Sequence, residues 1–98
     1  MKIFKYPFKV SDEVRIGMPL GAHILTVQVQ HGEPCIWAIV DPEQPHELRS
    51  FLVIGTGHLF SNDLSKSRYI GTFQLEVGYA RFSAREVFVG HLFEPKRR

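Results

Sequence analysis

The chain has 98 residues, a formal net charge of +2 and a hydrophobic fraction of 44%, with eight Phe, three Tyr and one Trp. This length holds one domain, and this composition excludes a disordered chain. A single Cys excludes a disulfide scaffold and a four-cysteine zinc site. The longest apolar run, Cys35 to Val40, is too short to cross a membrane, and Met1 to Val10 lacks the apolar core of a signal peptide.

The positive charge is concentrated at the end of the chain. Without Lys96, Arg97 and Arg98, nine basic residues remain against ten acidic ones, a net charge of −1. We therefore expect a single domain over residues 1–95 and a solubilising basic tail over residues 96–98. A neutral body without a basic stripe does not favour nucleic-acid binding, and no membrane partner is expected.

Alternation of apolar and polar residues predicts strands along most of the chain. The first strand carries an inward aromatic face, made of Phe4, Tyr6, Phe8 and Val10. Pro7 lacks an N–H group, so this strand is predicted to be an edge strand or to contain a bulge.

The next two strands show the same alternation. One carries Val14, Ile16 and Met18 on its apolar face, and the following one carries Leu25, Val27 and Val29. Residues 35–40 and 48–54 are apolar at nearly every position, which is typical of strands covered on both faces. We expect these two segments to pair as a central hairpin, Cys35 to Ile54.

The second half of the chain contains a long irregular segment and two more strands. Ser61 is a candidate cap for one helical turn over residues 62–66. Tyr69 to Val77 is predicted to be a strand with Tyr69, Gly71, Phe73 and Leu75 on one face. Val87 to Phe93 is the last predicted strand.

These elements predict an all-β fold: a small antiparallel β-sandwich or partly open β-barrel of about seven strands, with at most one short helical turn. A chain this short leaves open sheet edges, and open edges pair with other strands. We therefore expect a homo-oligomer, formed through an edge strand or the aromatic face of the first strand.

The segment Gly55-Thr56-Gly57-His58 is the strongest candidate for a binding site. Two Gly around a Thr can present backbone N–H groups to an anion, with His58 as an additional donor. The alternative is a plain strand end whose Gly residues adopt positive φ.

Other residues extend this binding hypothesis. Trp37 or Tyr69 would stack on a ring of the ligand, and Arg68 would clamp its anionic group. Trp37 has a simpler interpretation as a core residue. A third hypothesis, a hydrolase with His58 and His91 as acid and base, requires the two imidazoles to meet.

The residues that other chemistry requires do not form recognisable motifs. Five His and one Cys show no metal-ligand spacing, so no metal and no cofactor are expected. Cys35 heads an apolar run and is interpreted as a buried small hydrophobe. With no catalytic constellation in the sequence, we do not expect an enzyme.

Several blocks of the sequence, taken in order, resemble a family of small bacteriophage proteins of unknown function. The blocks are Met1 to Pro7, Ile24 to Gln30, Pro34 to Pro42, Gly55 to His58, Tyr69 to Gln74 and His91 to Glu94. The residues carried over by position are Trp37, Thr56, His58 and His91. Leu75 to Ala84 departs from the pattern as extra sequence, which would form a longer hairpin arm able to reach a neighbouring subunit.

The resemblance implies a phage product in the host cytoplasm or in the virion, and it implies no activity. Two functions remain open. The first is a non-catalytic interaction module that binds a host or phage protein as a homo-oligomer. The second is a binder of a small phosphate-bearing or nucleotide-like ligand at the Gly55–His58 loop.

Overall fold

The computed structural model describes residues 1–77 and 86–96. Its strands are β1 (Lys2–Pro7), β2 (Glu13–Pro19), β3 (His23–Gln30), β4 (Glu33–Val40), β5 (His46–Gly55), β6 (Ser67–Val77) and β7 (Glu86–Pro95), with one 3₁₀ turn at Leu64–Lys66. They form a three-stranded sheet of order β1-β4-β3 and a four-stranded sheet of order β2-β5-β7-β6, all antiparallel. The predicted all-β fold is confirmed as two open sheets that do not close. In the described residues, no helix has the length and apolar character needed to span a membrane.

The core lies between the two sheets and receives side chains from every other residue of the strands. Its buried members include Met18, Ile24, Val27, Ile36, Ala38, Val40, Phe51, Val53, Phe73 and Leu92. We call the face of each sheet that carries these residues the inner face, and the opposite face the outer face. The alternation that predicted the strands therefore corresponds to this two-sided environment.

The predicted central hairpin, Cys35 to Ile54, is wrong. β4 lies between β1 and β3, whereas β5 lies between β2 and β7 in the other sheet. The connection at residues 41–45 therefore crosses from one sheet to the other. Both strands are apolar throughout because each is an interior strand of its own sheet, not because they pair.

β1 is an edge strand, as Pro7 predicted, and it pairs only with β4 among the described residues. Its inner face is covered unevenly, since the exposed fraction falls from 36% at Phe4 to 6% at Phe8, just after the strand. Val10 lies beyond the strand and is exposed. The predicted inward aromatic face is thus only half covered, because the N-terminal half of β1 extends past the opposite sheet.

β6 contains a bulge that overturns one predicted face. Tyr69 pairs with Phe93 and Gly71 with Leu92, so Ile70 is an extra residue on β6. A bulge of one residue moves the preceding side chains to the other face. Tyr69 is therefore 55% exposed on the outer face, while Phe73 is buried on the inner one.

The helical turn is shorter than predicted, and a different residue caps it. Asp63, not Ser61, is the N-cap, and its carboxylate accepts a hydrogen bond from the backbone N–H of Ser65 at 3.0 Å. This backbone hydrogen bond, with a second one from the Ser65 side chain, lowers the pKa of Asp63. A carboxylate is a stronger acceptor than a hydroxyl, which favours Asp63 at the cap.

The extra segment, Leu75 to Ala84, is described only in part. Leu75 to Val77 continue β6 and pair with Phe88 to Glu86 of β7, which lengthens the hairpin arm. Residues 78–84, and Arg97 and Arg98 of the basic tail, lie outside the described residues.

A buried ion pair spans the inner face of the four-stranded sheet. Arg49 of β5 donates two hydrogen bonds to Glu94 of β7, from Nε at 2.6 Å and from Nη2 at 3.0 Å. Its Nη1 donates to the backbone carbonyl of Ala22, in the connection between β2 and β3, at 2.8 Å. The exposed fractions are only 6% for Arg49 and 7% for Glu94, so each charge depends on the other.

We predict that Glu94→Ala destabilises the fold by about 3–5 kcal/mol, because it leaves the Arg49 charge buried without its partner. The double replacement Arg49→Met with Glu94→Leu should restore most of this loss, because it removes both charges. Urea unfolding followed by circular dichroism measures both. A loss below about 1 kcal/mol for Glu94→Ala would show that the pair is not buried.

Gly90 and Gly17 provide a matched pair of strand glycines. A Cβ at Gly90 would lie 2.6 Å from the Phe73 ring and 2.8 Å from the Phe88 ring, whereas a Cβ at Gly17 has nothing within 4 Å. We predict that Gly90→Ala costs about 1–3 kcal/mol through overpacking. Gly17→Ala should leave the free energy of unfolding unchanged or raise it by up to about 1 kcal/mol. Equal effects in urea unfolding would contradict this packing.

Candidate functional site

The Gly55–His58 segment forms a tight turn at the end of β5. The N–H of His58 donates to the carbonyl of Gly55 at 3.1 Å, which closes the turn. Gly57 has a φ of 81°, and this is the third position of the turn, where a type II turn requires positive φ. The sequence predicted a Gly with positive φ here, and Gly57 is that residue.

Gly55 provides the space in which the His58 ring lies. A Cβ at Gly55 would come within 2.6 Å of His58 Nδ1 and 3.0 Å of Phe88 Cε1. The imidazole also lies beside the Phe88 ring, with 6.2 Å between centroids. The absence of a side chain at Gly55 thus sets the position of His58, which is otherwise exposed.

Two backbone donors of this turn are already used within the protein. The N–H of Thr56 donates to the carbonyl of Val89 at 3.0 Å, and the N–H of His58 closes the turn. An anion nest needs several free N–H groups that converge on one point. This turn therefore keeps two of its donors for its own fold.

A chain of hydrogen bonds crosses the outer face of the four-stranded sheet. His91 of β7 lies at its centre, with Nε2 at 2.7 Å from Thr56 Oγ1 and Nδ1 at 2.8 Å from Thr72 Oγ1. The hydroxyl of Tyr69 continues the chain at 2.5 Å from Thr72 Oγ1. We call these four residues the His91 chain; it connects β6, β7 and the end of β5.

The His91 chain is satisfied with a neutral imidazole. If Tyr69 donates to Thr72 and Thr72 donates to Nδ1, then Nε2 carries the proton and donates to Thr56. The reverse order of donors is equally complete. Both ring nitrogens therefore have partners, and the chain acts first as a tie between neighbouring strands.

His58 and His91 lie on opposite faces of the four-stranded sheet. The His58 ring occupies the inner side of Gly55, while His91 is on the outer face with Thr56 and Thr72. Acid–base catalysis by the two imidazoles requires both within reach of one substrate. This arrangement does not bring them together.

Two other predicted site residues lie away from the turn. Trp37 is on the outer face of the three-stranded sheet, half-buried, with Lys5 Nζ at 6.0 Å from the ring centroid. Its Nε1 is buried and has no hydrogen-bond partner. Arg68 donates from Nη2 to the backbone carbonyl of Ile24 at 2.8 Å, and so ties β6 to β3.

A cavity of about 290 Å³ lies beside the turn, at the C-terminal end of β5. Its walls include Asp12, Leu52, Ile54, His58, Phe60 and Asn62. The N–H of Val53 donates to the carbonyl of Asp12 at 3.1 Å, which holds the residue before β2 against β5. The cavity thus combines aliphatic side chains with polar groups.

Sequence analysis missed two residues of these sites. Thr72 joins the His91 chain only because of the bulge at Ile70, and the isolated Gly71 inside a strand was the available signal for that bulge. Asp12 reaches the cavity because β2 pairs with β5, which no local pattern indicated. Cys35, by contrast, is buried as predicted, with 2% of its surface exposed.

The described residues contain no group of three or more His, Cys, Asp and Glu side chains that could hold a metal ion. The titratable residues of the two sites therefore have to be compared as individual side chains.

We predict that His91→Ala lowers the free energy of unfolding by about 1–2 kcal/mol, because it removes two hydrogen bonds between strands. His58→Ala should change it by less than about 0.5 kcal/mol, because His58 is exposed and its ring donates to no protein group. Urea unfolding compares the two directly. A larger loss for His58→Ala than for His91→Ala would reverse the two assignments.

The comparisons place the chain in a family but do not identify an activity. No curated protein and no solved structure matches it. A domain of unknown function, DUF7352, matches residues 1–98. The match covers the whole sequence, and the chain therefore belongs to the DUF7352 family of domains of unknown function.

Proposed function

We propose that the chain is a small bacteriophage accessory protein, in the host cytoplasm or in the virion, that acts as a non-catalytic protein-interaction module. Its resemblance to phage proteins supports the origin. One observation carries the interaction role, namely the exposed apolar N-terminal half of β1. We propose that β1 joins two copies of the chain into a homo-oligomer.

β1 offers both an open edge and apolar side chains. Ile3 on the outer face is 61% exposed, and Phe4 on the inner face is 36% exposed. One side of the strand pairs with β4, while the described residues leave its other side unpaired. An edge strand of this kind carries a row of free N–H and C=O groups that can pair with another strand.

The charges of β1 favour one register between two copies. In an antiparallel pair centred on Phe4, the two Phe4 rings face each other, Ile3 faces Lys5, and Lys2 faces Tyr6. Each Lys stem then covers an apolar side chain while its ammonium stays in water. A shift of one residue places Lys2 opposite Lys5, where like charges directly opposite are destabilising.

We predict that Phe4→Glu shifts the protein to monomers, because the register places the two introduced carboxylates opposite each other at the centre of the pair. Ile3→Glu should preserve or strengthen the oligomer, because its carboxylate then faces Lys5 of the other copy. Light scattering during size-exclusion chromatography measures the mass, and circular dichroism checks that each variant folds.

Leu48→Glu is the matched control, since Leu48 lies on β5 and is 62% exposed, compared with 61% for Ile3. It should leave the oligomeric mass unchanged. A wild-type protein that stays monomeric at high concentration contradicts the proposal. Dissociation by Leu48→Glu but not by Phe4→Glu also contradicts it, because the interface would then be on the four-stranded sheet.

Small-ligand binding beside the Gly55–His58 loop is our second proposed function. The cavity of about 290 Å³ favours it, because ligand sites begin at about 300 Å³ and combine apolar walls with a few polar groups. Native mass spectrometry of freshly purified protein tests it. An added small-molecule mass that is lost on denaturation supports the proposal, while failure of every probe in a binding titration contradicts it.

A further inference from the structure

We propose that the cavity beside the Gly55–His58 loop binds a small organic cation, an alkylammonium or alkylguanidinium group, rather than a phosphate. This inference rests on the second proposed function and names its ligand class. It depends on the charges that line the cavity, on the cations that are committed elsewhere, and on the shape of the walls.

The only fully charged side chain that lines the cavity is a carboxylate. Asp12 lies at its edge, where the backbone bond from Val53 fixes the main chain, and its side chain forms no hydrogen bond or ion pair within the described residues. A carboxylate accepts hydrogen bonds and donates none when ionised. Asp12 therefore selects a ligand with N–H donors and positive charge.

Nearby cations are committed to other partners. Arg15 donates from Nε to Glu13 at 2.8 Å, and Arg68 donates to the carbonyl of Ile24. Asp63, which follows the cavity residue Asn62, has a lowered pKa because Ser65 donates to it, so it stays ionised. The field around the cavity is therefore negative, and an anionic ligand would meet no free Lys or Arg among the lining residues.

Aliphatic and aromatic groups complete the cavity. Leu52 and Ile54 line one wall, and Phe60, which is 52% exposed, lines another. Aliphatic walls suit a short alkyl chain, and the face of a Phe ring attracts an ammonium or guanidinium group. The amide oxygen of Asn62 adds a neutral acceptor. Together these groups match a cation attached to a short hydrocarbon body.

The experiment is a titration followed by amide chemical shifts in NMR. The probes are n-butylguanidinium and n-butylammonium, with butyrate as the anion of similar alkyl length and with inorganic phosphate. We expect both cations, but neither anion, to shift the amide signals of Asp12 and residues 58–62 in a saturable manner. Asp12→Asn should weaken cation binding by about tenfold or more, because a charge-assisted hydrogen bond is lost.

Glu43→Gln is the matched control, because Glu43 is an exposed acid in the connection between β4 and β5, outside the cavity. It should bind the cations as tightly as the wild type does. Nα-acetyl-arginine methylamide distinguishes the source of the cation. Binding tighter than that of n-butylguanidinium assigns the site to an arginine side chain of a peptide, and weaker binding assigns it to a free small molecule.

The outcomes separate this inference from the function on which it rests. Phosphate or butyrate binding at these residues without cation binding would overturn the cation assignment and leave ligand binding intact. Equal loss of affinity in Asp12→Asn and Glu43→Gln would also overturn it, since the effect would then be one of net charge. No saturable shift with any probe would overturn both.

Discussion

The ion pair between Arg49 and Glu94 is the constraint on which the rest of the structure depends. Two charges inside a small apolar core are tolerated only if each is neutralised and its hydrogen bonds are satisfied. Arg49 meets this condition with two bonds to Glu94 and one to the Ala22 carbonyl. Their geometry aligns β5 with β7 and holds the connection between β2 and β3 at the end of the sandwich.

This alignment also sets the positions of the functional candidates. The register of β5 and β7 places Gly55 beside Gly90, so that Thr56 comes within reach of His91 on the outer face. The approach of β3 to β6, tied by Arg68, closes one side of the sandwich. The open side lies at β1, whose N-terminal half keeps its apolar residues exposed, and this is where we place the interaction surface.

Local patterns were sufficient to predict the strands but not their partners. Alternation identified all seven strands, and Pro7 identified β1 as an edge, because these features depend only on neighbouring residues. The pairing of residues 35–40 with residues 48–54 was predicted wrongly, because an apolar run shows that a strand is interior and does not show in which sheet. Arg49 shares the inward parity of Phe51 and Val53, which was the available signal for a buried charge, but its partner at Glu94 is 45 residues away. The cavity depends on such distant pairings too, so Asp12 could not be found from the sequence.

The most direct test of the proposed interaction surface is hydrogen–deuterium exchange of the wild-type protein at low and high concentration. Our account predicts that alternate amides of β1 gain protection as the concentration rises, because a second copy pairs with the open edge. The amides of β2 and β6, which are edges of the other sheet, should exchange at the same rate throughout. Unchanged exchange in β1, or protection that develops in β2 or β6 instead, would contradict the account.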